Sequence, residues 1–323
     1  MNRKLKLVLV NILVLIFLLV NLDLYAYKKC LAECNKYVQN QIQEGNSTIG
    51  KNYAQKQVKY GKIVFYNYEK KVAYTIPRVY KGTKARPIVT IGCSFTDGAF
   101  LDENQTFAYK LNKLTNRTTY NRGIGSTGPQ WVYRQLSDKN FKKEIPDAEY
   151  VIYTFIINHI ERMFKSSVNP WHNYVDLNYR LKNGKLVERK EFWQHFRSSF
   201  LVRKYLVTKE HFEYESECKK NLPLFLKIMQ ESVNTTHKLY PNSKFVLIDV
   251  PETYYTDEDF EKNKLPEPVV SELEKMGIIY IDAEDLVGHK FRNIDKYHVD
   301  DKRHPNELFW DELTPALVKK LNL

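Results

Sequence analysis

Two residues set the chemical question posed by this sequence: a serine in IGCSFTDG (91–98) and a histidine in DDKRHPNELFWDEL (300–313). Ser94 lies three residues beyond an apolar run, where a tight strand-to-helix turn projects a hydroxyl at a sheet edge beside free backbone N–H groups. On its own such a turn is weak evidence, because Gly-Xaa-Ser recurs by chance. His304 follows Asp301 by three residues, so one turn of chain can bring the carboxylate to one imidazole nitrogen while the other faces Ser94. A carboxylate placed there fixes the tautomer and stabilises the imidazolium formed when the ring takes a serine proton. Pro305 suits the first turn of the helix that follows. A metal site built from His298, Asp300, Asp301 and His304 is the rival use of this stretch; irregular spacing and the lack of another ligand group count against it.

Two further elements could hold the oxygen of a tetrahedral intermediate. Five of the twelve glycines fall in two short loops, IGCSFTDG and NRGIGSTG (121–128), each after an apolar run. Glycines there let the backbone approach a reacting carbonyl closely, and equally allow an ordinary tight turn. Asn158 ends the most apolar run, YVIYTFIIN (150–158). A buried amide at a strand terminus needs partners; an oxyanion would be one, a structural hydrogen bond another.

In this order the four stretches resemble the SGNH/GDSL hydrolase family over residues 86–323. The resemblance implies a Ser-His-Asp triad of Ser94, His304 and Asp301, with an oxyanion hole from the Ser94 N–H, the Gly125/Ser126 turn and Asn158. VTIGCSFTDGAFLDENQTF through NRGIGSTGPQ is similar to a bacterial subgroup that includes cell-surface polysaccharide O-acetyl esterases and transferases. Three positions depart from the family pattern. Cys93 replaces the Asp before the nucleophile, Ser126 falls where the oxyanion Gly is expected, and His159 replaces the Asp after the amide. A backbone N–H serves from either residue type, so either Gly125 or Ser126 can supply it. Such a site needs neither metal nor organic cofactor.

The elements that must position these residues read as an α/β domain. Apolar runs at 87–91, 118–121, 150–157, 244–250 and 277–282 alternate with helical patterns near 104–115, 129–142, 217–240, 264–276 and 306–321. This alternation predicts a parallel sheet with helices on both faces and the site at the strands' carboxyl ends; the resemblance implies the three-layer α/β/α, five-stranded, flavodoxin-like SGNH fold. Residues 165–216 are too long for a structureless loop and read as an inserted cap, whose Trp171, Trp193, His172 and His195 could stack on a sugar, line an acyl pocket or pack the insertion. Residues 25–85 read as a stalk or accessory segment with a helix near 27–44 and strands at 62–68 and 71–76.

The N-terminus carries Arg3, Lys4 and Lys6 ahead of an apolar run at 7–22 interrupted by Asn11 and Asn21. Residues 1–24 therefore read as a transmembrane anchor with the remainder outside the cytoplasm; a cleaved export signal ending at Ala26 is the competing reading. Cys30 and Cys34 are one helical turn apart, poor geometry for a bridge. The net charge of +12 is spread along the chain and matches no nucleic-acid module; it suits anionic lipid or an acidic polysaccharide, or merely a solvated surface. The expected activity is serine-dependent hydrolysis of O-acyl, above all O-acetyl, esters of a cell-envelope glycan. Polysaccharide O-acetyl transfer by the same residues is the alternative, and a non-catalytic glycan-binding or structural protein is the second.

Overall fold

The computed structural model describes residues 11, 17–18, 21, 65–67, 72–74, 78–125, 127–163, 179–188, 214–251, 265–291, 294–299 and 304–323. The five apolar runs form β4 (Lys84–Gly92), β5 (Arg117–Gly123), β6 (Tyr150–Phe155), β9 (Lys244–Asp249) and β10 (Ile278–Asp282), parallel to one another where they pair. The sheet is not the five-stranded parallel one expected. A sixth strand, β3 (Arg78–Tyr80), pairs antiparallel with β5 at the edge, giving a mixed sheet in the order β10-β9-β6-β4-β5-β3. Three residues without an extended alternating pattern give no periodicity signal, so only the pairing with β5 reveals this strand. β1 (Phe65–Asn67) and β2 (Val72–Tyr74) form a separate antiparallel ribbon where two strands were expected.

Period-two alternation divides the core between the two faces of the sheet. Val89, Ile91, Val151, Tyr153, Phe155, Phe245 and Leu247 face one layer. That layer is built by α3 (Pro129–Leu136), α6 (Tyr214–Leu239) and α7 (Glu267–Lys275), through residues such as Trp131, Phe225 and Leu273. Ile88, Tyr150, Ile152, Val246 and Ile248 face the other, built by α2 (Phe107–Thr115), α8 (Ala283–Val287) and α9 (Glu307–Leu321). Phe107 of α2 stacks on Trp310 of α9 at 4.9 Å, fixing the C-terminal helix against the helix that follows the Ser94 loop. Every residue of β6 is buried, as a central parallel strand covered on both faces requires.

The helix expected over 129–142 breaks in two: α3 ends at Leu136 and α4 (Phe141–Glu144) follows. Between them the Asp138 carboxylate accepts the Asn140 amide at 2.8 Å, the local side-chain bond by which Asp competes with helix. Within the inserted segment the structure describes a hairpin of β7 (Tyr179–Lys182) and β8 (Lys185–Glu188) and the first turn of α6. Trp171, Trp193, His172 and His195 lie outside the described residues, as do Cys30, Cys34 and nearly all of the anchor expected at 1–24. Among the described residues no helix is long and apolar enough to cross a membrane.

Candidate active site

The register of the three central strands sets the site. Gly92 of β4 lies level with Gly123 of β5 on one side and Thr154 of β6 on the other. The two glycine loops and the segment bearing Asn158 therefore leave adjacent strands at one height. The chain passes from β4 to β5 on one side and then to β6 on the other, so this edge is a topological switch point, where open α/β sheets leave a crevice.

Ser94 begins α1 (Ser94–Asp97), a single turn whose amides fold back on the backbone around this serine. Asp97 N–H donates to the Cys93 carbonyl at 2.9 Å, and the Gly98 and Ala99 amides both donate to the Ser94 carbonyl, at 3.0 and 2.9 Å. Two glycines make room for the turn. A Cβ on Gly92 would lie 2.3 Å from Thr96 Oγ1 and 2.8 Å from the Thr154 carbonyl oxygen, and one on Gly123 would lie 2.2 Å from the Asp97 nitrogen. No side chain fits at such distances. The neighbouring loop is sewn to this turn as well: Ile124 N–H and the Thr127 hydroxyl both donate to the Gly92 carbonyl, at 2.8 and 3.2 Å.

His304 arrives from the opposite end of the chain. The segment before α9 doubles back through a bridge between His298 and Pro305, with Val299 N–H donating to the His304 carbonyl at 3.0 Å. Asn306 secures its far side, donating from Nδ2 to Lys296 and His298 carbonyls and accepting Phe309 N–H as the cap of α9. His304 Nε2 then lies 2.9 Å from Ser94 Oγ, within reach for proton transfer. Phe95 and Phe100 flank the imidazole, with centroids at 5.2 and 4.9 Å. Phe100 holds this place with a left-handed backbone, φ 69°, which costs a non-glycine residue on the order of 1 kcal/mol. Neither phenylalanine is marked in the sequence, since nothing local distinguishes a ring that meets a distant imidazole from one in the core.

Of the other expected residues, Gly125 is brought to the pair: a Cβ built on it would lie 3.9 Å from Ser94 Cβ. Asn158 opens α5 (Asn158–Glu161), three residues beyond the end of β6. Arg162 joins these two segments, its amide donating to the Asn158 carbonyl at 3.1 Å and its guanidinium to the Thr127 carbonyl at 3.1 Å. Gln130 adds a bond from Nε2 to the Arg162 carbonyl at 2.7 Å. Asp301 and Ser126 lie outside the described residues, as does Asp300 from the rival metal set. His159, next to Asn158, is fully buried, with Nδ1 2.7 Å from the Tyr153 hydroxyl. Burial, and then the nearby Arg162 charge, hold its pKa well below 6.5, so the ring is neutral at physiological pH. Among the described residues no group of three or more His, Cys, Asp or Glu side chains could hold a metal ion.

No family model matches the chain, and no curated protein matches it. Its likeness is to solved structures. A G-D-S-L family protein from Desulfitobacterium hafniense DCB-2 is 13% identical, over 73% of this chain and 99% of that one, with a TM-score of 0.42. A family 3 carbohydrate esterase from Clostridium thermocellum is 9% identical, over 73% and 94%, with a TM-score of 0.42. A catalytic mutant of an acetylxylan esterase from Geobacillus stearothermophilus is 14% identical, over 76% and 97%, again at 0.42.

Proposed function

We propose that this chain is a serine ester hydrolase of the SGNH/GDSL type, acting on O-acyl and foremost O-acetyl esters of a cell-envelope glycan. The observation that carries the reading is the 2.9 Å approach of His304 Nε2 to Ser94 Oγ across 210 residues, at a switch point beside a glycine loop. The Ser94 hydroxyl donates to the unprotonated Nε2. As Oγ attacks the ester carbonyl its proton passes to His304, and Asp301 orients the ring and stabilises the resulting imidazolium. The oxyanion is held by the Ser94 N–H, a backbone N–H of the Gly125/Ser126 turn, and the Asn158 amide. Collapse of the intermediate breaks the ester C–O bond, and the imidazolium returns its proton to the departing alcohol. Water then attacks the acyl-serine with His304 as base, releasing the acid and restoring Ser94. A sugar hydroxyl in place of that water turns the same steps into transfer.

The basic N-terminal residues and the apolar run at 7–22 support an anchored enzyme whose catalytic part works outside the cytoplasm, where such glycans are found. The +12 charge suits an acidic polysaccharide partner. A fluorophosphonate probe tests the nucleophile: labelling of the intact chain that disappears in Ser94→Ala is expected. Absence of labelling, or equal labelling of the variant, would remove Ser94 as the nucleophile, and absence of labelling favours a fold kept for glycan binding. Acetate release from p-nitrophenyl acetate, followed with and without glycan acceptors, separates hydrolysis from transfer. Acetylated glycan accumulating only with active enzyme would favour transfer.

A further inference from the structure

The edge strand β3 alternates inward, outward, inward: Arg78 and Tyr80 are partly buried while Val79 is exposed. Both inward side chains reach the segment that connects Ser94 to α2. The Arg78 side chain, only 15% exposed, places Nη2 2.8 Å from Asp97 Oδ1 and donates a second bond to the Asp97 backbone carbonyl. Its Nη1 lies 3.6 Å from the Glu103 carboxylate, which also accepts the Tyr80 hydroxyl. One guanidinium thus holds both ends of the 97–103 segment. At one end Asp97 closes the turn on Cys93, immediately before the nucleophile. Between the ends Phe100 lies against the His304 ring in its left-handed conformation.

We infer that Arg78 is a positioning residue for the Ser94–His304 pair, an inference that rests on the function proposed above. Arg78 touches no reacting atom. It fixes the turn from which Oγ projects and the loop whose ring abuts the imidazole, so both partners depend on a residue delivered by an antiparallel strand outside the parallel core. The bond to a backbone carbonyl matters here. A solvent-exposed ion pair contributes little to any geometry, whereas a planar guanidinium with Nη2 on Asp97 and Nη1 toward Glu103 restrains both together, a span that the single ammonium of lysine cannot reproduce. Without Arg78, the Asp97 carboxylate would sit unpaired beside the carbonyls that end α1, favouring displacement of the turn.

The test uses the full-length chain carrying Arg78→Met, Arg78→Lys, Asp97→Asn, and the Arg78→Met/Asp97→Asn pair. Fluorophosphonate labelling rates, kcat and KM for p-nitrophenyl acetate, and thermal midpoints are measured for each and expressed per folded molecule. Misplacing a nucleophile by about 1 Å can cost up to about 10²-fold, so Arg78→Met should lower labelling rate and kcat by about 10- to 100-fold, with KM within about twofold. Arg78→Lys should fall between it and the parent, and the pair should lose no more than Arg78→Met alone. Parental labelling and kcat in Arg78→Met, or a loss confined to KM, would overturn the inference. Should Arg78→Met fail to fold, Arg78→Lys decides: lowered kcat at an unchanged midpoint supports positioning, and parental kcat rejects it. Ser94→Ala runs alongside. Labelling that persists there sinks the proposed function, whereas labelling at Ser94 that ignores Arg78 sinks only this inference.

Discussion

Two histidines stand beside the same sheet edge and are held in opposite ways. His304 is half-buried on the loop before α9, with one nitrogen turned to Ser94 and two phenylalanine rings at its flanks. His159 is sealed beneath the edge, parallel to the Tyr153 ring, edge-on to Phe155 and bonded to the Tyr153 hydroxyl. Burial and the Arg162 charge keep it neutral, so it cannot serve as a proton store near neutral pH. Residue type alone does not make a general base. Access to the proton does, and that is set by which element brings the ring to the surface of the crevice.

The comparison can be broken most directly at His304. On the proposed function, His304→Ala should lower turnover by about 10⁴-fold or more while leaving the fold intact, because Ser94 would lose its base. Circular dichroism and turnover of p-nitrophenyl acetate check this, and a variant that keeps most of its activity would move the base elsewhere. The next effect probes whether the His159 segment contributes through its neighbour. Asn158→Ala should cost on the order of 10²–10³ in kcat if the amide is an oxyanion donor; a fully active variant would make the segment wholly structural.

The smallest effect concerns His159 itself, and its sign follows from linkage. The folded pKa lies well below the unfolded value of about 6.5. Above 6.5 the ring is neutral in both states and contributes no slope. As pH falls below it, the unfolded chain takes up a proton that the folded one refuses, so stability declines by up to about 1.4 kcal/mol per pH unit until the folded pKa is reached. Urea unfolding of the parent and His159→Gln between pH 7 and 5 should show a steeper decline in the parent. Parallel curves would mean that His159 is not the group responsible.

Much of the site was legible because its signals are local. Ser94, the glycines around it and a histidine just before a helix each carry a type, spacing or flanking pattern within a dozen residues. The five parallel strands were legible for the same reason, as short apolar runs separated by helical periodicity. What local pattern could not carry was the antiparallel edge. β3 spans three residues, and its role depends on Arg78 meeting Asp97 nineteen positions later. Phe100 was equally silent, since its meaning comes from an imidazole on another element.

The sequence by itself determined that strands and helices alternate, that glycine punctuates two strand ends, and that serine and histidine are present with chemistry available to them. Only the tertiary structure decided that these two residues meet. Parallel pairing sets Gly92, Gly123 and Thr154 level, and the stack of Phe107 on Trp310 brings the start of α9 to the same edge. The physical reason is that propensity and periodicity act over a few residues, whereas register and helix docking are settled by which apolar faces bury one another across the whole chain.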